Sequence, residues 1–207
     1  MFDLLANIHL PLIGLLIGVI VGLTGVGGGS LMTPILVGGL GVPPAIAVGT
    51  DLLFAAITKS FGALAHWRVG NVAKRLLTVL IIASLSGAGI AFAFVHGLKP
   101  NIDSLNRVIR TALGFALFAT ALALLLRPWL LSFRRAHAGN EPAHDITRSQ
   151  RLWPTVMLGF AIGSVVTLSS VGAGAIGVTA LLLLHPALPI TRIVGTDIAY
   201  AVPLTAA

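Results

Sequence analysis

The residues best suited to chemistry are glycines and hydroxyl side chains inside an apolar segment. Residues 22–34 read Gly-Leu-Thr-Gly-Val-Gly-Gly-Gly-Ser-Leu-Met-Thr-Pro and lie within an apolar run at 10–40. Each glycine costs a helix interior about 1 kcal/mol relative to alanine, so four within five residues predict that the helix opens here. Unpaired N–H groups at such an opening, together with the positive end of a helix dipole, favour a small anion.

Composition indicates which elements position these residues. Of the 207 residues, 57% are hydrophobic and 9% are charged, and the mean hydropathy of +1.01 is typical of an integral membrane protein. The net charge of +7 comes mostly from Lys and Arg between apolar runs, which is the positive-inside pattern and not a nucleic-acid surface. There is no cysteine, which excludes disulfides and thiolate metal sites. We predict an all-α membrane protein, a polytopic helical bundle with no metal site and no cofactor.

The order of apolar and polar segments predicts the domain organisation. Residues 1–127 form a first transmembrane repeat of about four spans, 128–152 form a cytoplasmic linker, and 153–207 form a second repeat of about two spans. The connection around residues 66–75 and the linker are the most basic segments, so both are expected on the cytoplasmic side. Counting spans backwards from them predicts a cytoplasmic N-terminus.

The chain repeats itself beyond the linker. Val-Gly-Thr-Asp at 48–51 recurs letter for letter at 194–197, and the glycine-rich opening is matched by Ser-Ser-Val-Gly-Ala-Gly at 169–174. Four spans between the copies predict that both have the same orientation, although treating residues 10–40 as a re-entrant pair of half-helices would change this count. The chain stops at Ala207, so the second repeat is expected to be incomplete, either by truncation or because a partner supplies the missing surface.

These motifs, each occurring twice and in the same order, resemble the sulfite exporter TauE/SafE family of membrane transporters. The resemblance covers essentially the whole chain. It implies two repeats of four spans in a bacterial inner membrane, and transport of small sulfur-containing anions such as sulfite, thiosulfate or sulfonates. Two features depart from the family pattern: the second glycine segment is diluted to Gly172-Ala-Gly174, and the last two spans are absent.

The candidate substrate site consists of glycines that allow close backbone approach and of hydroxyl donors beside them. Its predicted members are Thr24, Gly25, Gly27, Gly28, Gly29, Ser30, Ser169, Ser170, Gly172 and Gly174. The alternative is that these glycines serve only close helix crossing.

Two carboxylates recur at matching positions inside the second span of each copy. Burying Asp51 or Asp197 in the membrane costs about 2.5 to 3.5 kcal/mol on insertion scales. A carboxylate at both matching positions therefore indicates a functional role. With Thr50 and Thr196 they are predicted to couple anion movement to protons, to orient the glycine segment as hydrogen-bond acceptors, or to cap helices broken at Gly49 and Gly195. Lys59 is interpreted as snorkelling toward the cytoplasmic end near His66, outside the symmetric site, because its counterpart is Thr205.

Transport is the function that these patterns favour. No His-Glu-x-x-His motif or serine elbow supports an intramembrane enzyme, and no Gly-Lys-Ser/Thr supports a nucleotide loop. A structural membrane subunit and a channel remain as alternatives. The expected partners are a small anion, the lipid bilayer and a coupling proton; nucleic acid is not expected, and a homo-oligomer is left open.

Overall fold

The computed structural model describes residues 9–24, 27–97, 101–137 and 152–207, and the regular structure in these ranges is helical. A 3₁₀ turn at Gly28–Ser30 and a π-helical turn at Ile35–Gly39 flank the short α2. The α-helices are α1 (His9–Thr24), α2 (Met32–Pro34), α3 (Pro44–Arg68), α4 (Lys74–Gly97), α5 (Ile102–His137), α6 (Leu152–Ser169), α7 (Ala175–Leu184) and α8 (Ile190–Ala206).

Four of the described helical segments are long and apolar enough to cross a membrane. They are Pro44–Arg68, Lys74–Gly97, Ile102–Trp129 and Leu152–Ser169, while Ala175–Leu184 is a shorter apolar helix. Large apolar side chains cover much of their outer surface; Phe61, Phe115 and Leu125 are 73%, 74% and 76% exposed. Such a surface suits lipid, which solvates apolar side chains but no free backbone groups.

Two of the places where the described chain leaves helical geometry with positive φ values fall in the glycine-rich segments. Gly27, just before the 3₁₀ turn, has a φ of +94°. Between α6 and α7, Gly172 and Gly174 have φ values of +126° and +138°, and Ser170 has a φ of +59°. Glycine adopts positive φ without a Cβ penalty, which explains its use at these turns. We call residues 27–31 the first interruption and residues 170–174 the second interruption.

Helices α3 and α8, which carry the two Val-Gly-Thr-Asp segments, run antiparallel. A Cβ on Gly195, early in α8, would lie 2.1 Å from the carbonyl oxygen of Asn71, beyond the end of α3. Further along α8, Ile198 lies against Gly62, which precedes Asn71 in the chain. As residue numbers rise on one helix they therefore fall on the other.

Helices α6 and α7 form a hairpin in which α7 turns back along α6. Thr155, near the start of α6, is hydrogen-bonded through Oγ1 to Nε2 of His185, just past the end of α7, at 2.9 Å. Helix α6 is parallel to α4, because Gly159 packs on Ala83 and Ser164 donates a hydrogen bond to the carbonyl of Gly87 at 3.1 Å.

The prediction that the two copies have the same orientation is therefore wrong. It counted the second glycine-rich segment as part of one crossing, whereas α7 returns along α6 and reverses the direction of α8. The physical reason is the turn at Gly172 and Gly174, where positive φ values reverse the chain instead of merely bending a helix. The paired Val-Gly-Thr-Asp segments thus have the opposed directions of an inverted repeat.

The packed interior is built mainly between α4, α6, α7 and α8. Leu76 and Leu80 of α4 are 1% and 0% exposed and share a core with Val166 and Leu181. Helix α5 continues through Pro128 to His137, so the predicted linker at 128–152 begins within a helix. Residues 138–151 of that linker, and the start of the chain with its predicted cytoplasmic N-terminus, lie outside the described residues.

Candidate functional site

Asp51 is the junction between the two interruptions. Its side chain is fully buried on α3, about 10 Å along the helix from Pro44. Its Oδ2 accepts a hydrogen bond from Thr33 Oγ1 at 2.9 Å, and a second one from Ser170 Oγ. Thr33 follows the first interruption and Ser170 begins the second, so a single carboxylate oxygen connects both.

The backbones of the two interruptions also touch directly. A Cβ on Gly29 would lie 2.0 Å from the carbonyl oxygen of Ser170 and 2.9 Å from Asp51 Oδ2. A Cβ on Gly27 would lie 3.1 Å from the carbonyl oxygen of Ala173. These positions therefore require glycine for close approach between the two chain segments, in addition to the positive φ at Gly27.

Lys59 reaches the second interruption from α3. Its Nζ donates a hydrogen bond to the carbonyl oxygen of Ala173 at 3.0 Å, and its ammonium interacts electrostatically with the carboxylates of both Asp197 and Asp51. The side chain thus contributes a positive charge to the site, and does not extend toward the α3 terminus near His66 as the snorkelling interpretation expected. No local pattern in the sequence predicts this contact, because Ala173 lies 114 residues away.

Asp197 occupies a second buried position on α8 and is 2% exposed. A Cβ on Gly177 would lie 2.2 Å from Asp197 Oδ1 and 3.0 Å from the hydroxyl oxygen of Tyr200. The carboxylate therefore packs directly against the first turn of α7. Within the described part of the chain, Asp51 Oδ1, Asp197 Oδ1 and Tyr200 Oη are buried and have no hydrogen-bond partner.

The helix-capping alternative for Asp51 and Asp197 is wrong. Helices α3 and α8 run without a break through Gly49 and Gly195, and they begin after Pro43 and Pro189 respectively. The carboxylates lie in helix interiors and so have no helix end to cap.

The two threonines beside these carboxylates have different environments. Thr50 is exposed and donates to the carbonyl of Ile46 at 2.8 Å. Thr196 is fully buried, accepts a hydrogen bond from the N–H of Ala73 at 3.0 Å and donates to the carbonyl of Arg192 at 2.6 Å. Thr196 therefore ties α8 to the start of α4, a role that Thr50 does not share.

The remaining predicted hydroxyls serve local backbone geometry. Ser30 Oγ donates to the carbonyl of Gly27 at 2.8 Å, which closes the first interruption. Ser169 Oγ donates to the carbonyl of Val165 at 2.7 Å and accepts from the N–H of Val171 at 3.2 Å. Gly172 and Gly174 supply the positive-φ turn of the second interruption. The side chain of Thr24 and all of Gly25 lie outside the described residues.

The start of α7 offers backbone donors beside this cluster. The first bonded N–H groups at this end are those of Gly177, to the carbonyl of Gly172 at 3.1 Å, and Val178, to the carbonyl of Gly174 at 2.8 Å. The N–H groups of Ala175 and Ile176 precede them and have no carbonyl within the helix to bond. The site thus combines backbone N–H groups and one ammonium with two carboxylates.

Comparisons with known proteins agree with this membrane architecture. The profile of the family described as Sulfite exporter TauE/SafE matches residues 10–207. A protein of Bacillus subtilis (strain 168) named probable membrane transporter protein YjnA is 35% identical over 201 residues, which cover 97% of this chain and 77% of the relative.

A second protein of the same organism, probable membrane transporter protein YdhB, is 27% identical over 194 residues, covering 93% of this chain and 73% of the relative. No solved structure matches the chain significantly. The chain is therefore a multi-pass membrane transporter that belongs to the sulfite exporter TauE/SafE family.

Proposed function

We propose that this transporter moves small sulfur-containing anions of the sulfite, thiosulfate or sulfonate type across the bacterial inner membrane. The anion is held where the two interruptions meet, between Asp51, Lys59 and the start of α7. The observation that carries the proposal is the direct contact of the two interruptions, with Gly29 against the carbonyl of Ser170 and Lys59 bonded to the carbonyl of Ala173. The family name supports the substrate class.

The local chemistry supports an anion over an uncharged solute. A buried ammonium and N–H groups at a helix N-terminus both stabilise negative charge. Burying charged groups at membrane depth is costly, and such groups in transporters mark substrate and ion pathways. Asp51 and Asp197 are the groups that would couple anion movement to protons in this scheme.

The architecture supports transport by rearrangement of two halves. The two Val-Gly-Thr-Asp segments belong to antiparallel helices, and the interruptions lie at their interface, as in transporters whose inverted halves enclose the substrate site. In our proposal the basic connections face the cytoplasm, in accordance with the positive-inside rule. The cytoplasmic position of the N-terminus stays a prediction.

The proposal is tested by flux in vesicles. The protein is reconstituted into liposomes, and entry of labelled sulfite, thiosulfate and a small sulfonate is followed with and without a proton gradient. Saturable movement of at least one anion, inhibited by the others, is the expected result. If none moves and none competes, the substrate class is rejected.

Two alternative functions give different outcomes in the same preparation. A channel would produce conductance in a planar bilayer without saturation of flux. A structural subunit would insert normally but move no anion, and substitutions at Asp51 would alter only assembly. An intramembrane enzyme would convert the labelled anion chemically, which analysis of the recovered label would reveal.

A further inference from the structure

Lys59 interacts electrostatically with two carboxylates that come from different halves of the chain. Asp51 belongs to the same helix, and Asp197 belongs to the antiparallel helix α8; the ammonium interacts with both. The hydrogen bond from Nζ to the carbonyl of Ala173, at 3.0 Å, fixes the ammonium at the second interruption. Among the described residues, Lys59 is thus the one cation of the cluster formed by Asp51, Lys59 and Asp197, and it lies where the two interruptions meet.

The charges of this cluster do not favour an anion while both carboxylates are ionised. Two carboxylates and one ammonium then sum to one net negative charge. In a buried environment a like charge is poorly screened, so an anion would be repelled. Taking up one proton makes the cluster neutral, and taking up two leaves the positive charge of Lys59.

The structure leaves one oxygen on each carboxylate available for such a proton. Asp51 Oδ1 and Asp197 Oδ1 are buried without a hydrogen-bond partner, whereas Asp51 Oδ2 accepts from Thr33 and Ser170. Protonating Oδ1 of Asp51 therefore breaks neither of these two hydrogen bonds. The Asp197 carboxylate lies beside the phenol of Tyr200 and interacts with it, and the phenol oxygen can accept a hydrogen bond from the protonated acid.

We propose that Lys59 is the residue that pairs with the transported anion, and that Asp51 and Asp197 each take up a proton when the anion binds. This inference rests on the proposed function, and it assigns the residue that pairs with the anion and the number of protons. The protons come from the water of the side to which the site is open, and they move in the same direction as the anion. One monovalent anion and two protons leave the cluster electrically neutral.

Few other groups act on this cluster. Among the described residues, the titratable groups that face it are Asp51 and Lys59 on α3 and Asp197 and Tyr200 on α8. The parts of α7 and the two interruptions in contact with it contribute glycine, serine, alanine and backbone groups. The sequence places Thr205 at the position in the second copy that corresponds to Lys59, so the second copy supplies no matching cation there.

The role of Lys59 is tested by Lys59→Met and Lys59→Arg in reconstituted liposomes. Lys59→Met is expected to reduce the initial rate of entry of a labelled small sulfonate, which carries a single negative charge, at least tenfold. Lys59→Arg is expected to keep part of this rate because the positive charge remains. The matched control is Lys74→Met, since Lys74 lies over the ring of Trp67 at 5.8 Å, away from the cluster. Rates are normalised to inserted, monodisperse protein.

The proton role is tested by Asp51→Asn and Asp197→Asn, which imitate the protonated carboxylates. For each variant, the acceleration of anion entry by an inward proton gradient is measured relative to that variant's own entry without a gradient. Each single variant is expected to lose part of this acceleration, and the double variant is expected to lose all of it. Asp103→Asn is the control, because Asp103 is exposed in the first turn of α5.

The results separate this inference from the function on which it rests. If the unmodified protein moves no sulfur anion, the proposed function fails. If it does, but Lys59→Met moves the anion equally fast, or the double asparagine variant still responds fully to the proton gradient, the inference is overturned. Loss of both flux and insertion in Lys59→Met leaves Lys59→Arg and the asparagine variants to decide.

Discussion

The hydroxyl of Ser170 donates a hydrogen bond to Asp51 Oδ2 across 119 residues of sequence, and Thr33 donates to the same oxygen. Hydrogen bonds to a charged acceptor contribute about 1.5 to 3 kcal/mol each, so these two hydroxyls stabilise the contact between the interruptions. Removing either hydroxyl leaves this buried oxygen with one of its two hydroxyl donors.

Ser170→Ala is therefore expected to lower the thermal stability of the detergent-purified protein and to reduce anion flux, because Asp51 keeps only Thr33 as donor. The change should cost about 1.5 to 3 kcal/mol. Ser86→Ala is the matched control, since Ser86 is exposed and bonds only to the carbonyl of Ile82 within its own helix. Equal melting temperatures for Ser170→Ala and the control would contradict the role of this hydrogen bond.

Gly29→Ala tests the close approach of the two interruptions. The added Cβ would meet the carbonyl oxygen of Ser170 at 2.0 Å and Asp51 Oδ2 at 2.9 Å, so backbone must move. Overpacking of this kind costs about 1 to 3 kcal/mol, and we expect a matching loss of stability together with loss of flux.

Gly49→Ala is the comparison for that substitution, because Gly49 lies inside α3 with nothing within 4 Å of its added Cβ. Alanine should there stabilise the helix by about 0.5 to 1 kcal/mol. A Gly29→Ala protein as stable and active as Gly49→Ala would show that the interruptions do not meet as described.

The antiparallel arrangement of α3 and α8 is tested by disulfide cross-linking, which is simple in a chain that has no cysteine. Gly62→Cys and Ile198→Cys should cross-link on mild oxidation, because a Cβ on Gly62 lies 3.3 Å from Ile198 Cγ2. The pair Gly49→Cys and Ile198→Cys should not, since Gly49 is about 20 Å from Gly62 along α3. Cross-linking of the second pair alone would support like-oriented copies.

Gly163→Ala tests the packing of α4 against α6. A Cβ at Gly163 would lie 2.0 Å from the carbonyl oxygen of Ser84, so we expect a loss of about 1 to 3 kcal/mol in stability. Gly89→Ala on α4 has nothing within 4 Å and is the control. Scanning fluorimetry of both purified variants measures the difference, and similar melting temperatures would contradict this contact.

Several features of the fold and the site could be predicted from the sequence alone. The apolar runs identify helices, because a long apolar segment has few other stable forms in lipid. The recurrence of Val-Gly-Thr-Asp directed attention to Asp51 and Asp197, and the structure buries both. A carboxylate within an apolar run is conspicuous because charge is costly there.

Other features depend on tertiary geometry that no local pattern contains. The hydrogen bond from Lys59 to the carbonyl of Ala173 joins residues that are 114 apart in the sequence. The spacing of Lys59 from neighbouring acidic residues does not predict this bond. The hairpin of α6 and α7 depends on the φ values of Gly172 and Gly174, which determine whether the chain reverses or continues. Identical letters at Thr50 and Thr196 have unlike surroundings for the same reason: packing partners, not sequence, decide which of them is buried.

The opposed directions of α3 and α8 have a consequence for how the site can open to each side of the membrane. Because α3 and α8 are antiparallel, their corresponding ends face opposite sides of the membrane. The two entrances to the site would therefore be lined by related sequences. In our proposal, a movement that opens the site to one side would therefore have a counterpart that opens it to the other side. Lys59 has no equivalent in the second copy, so the two movements would not be identical.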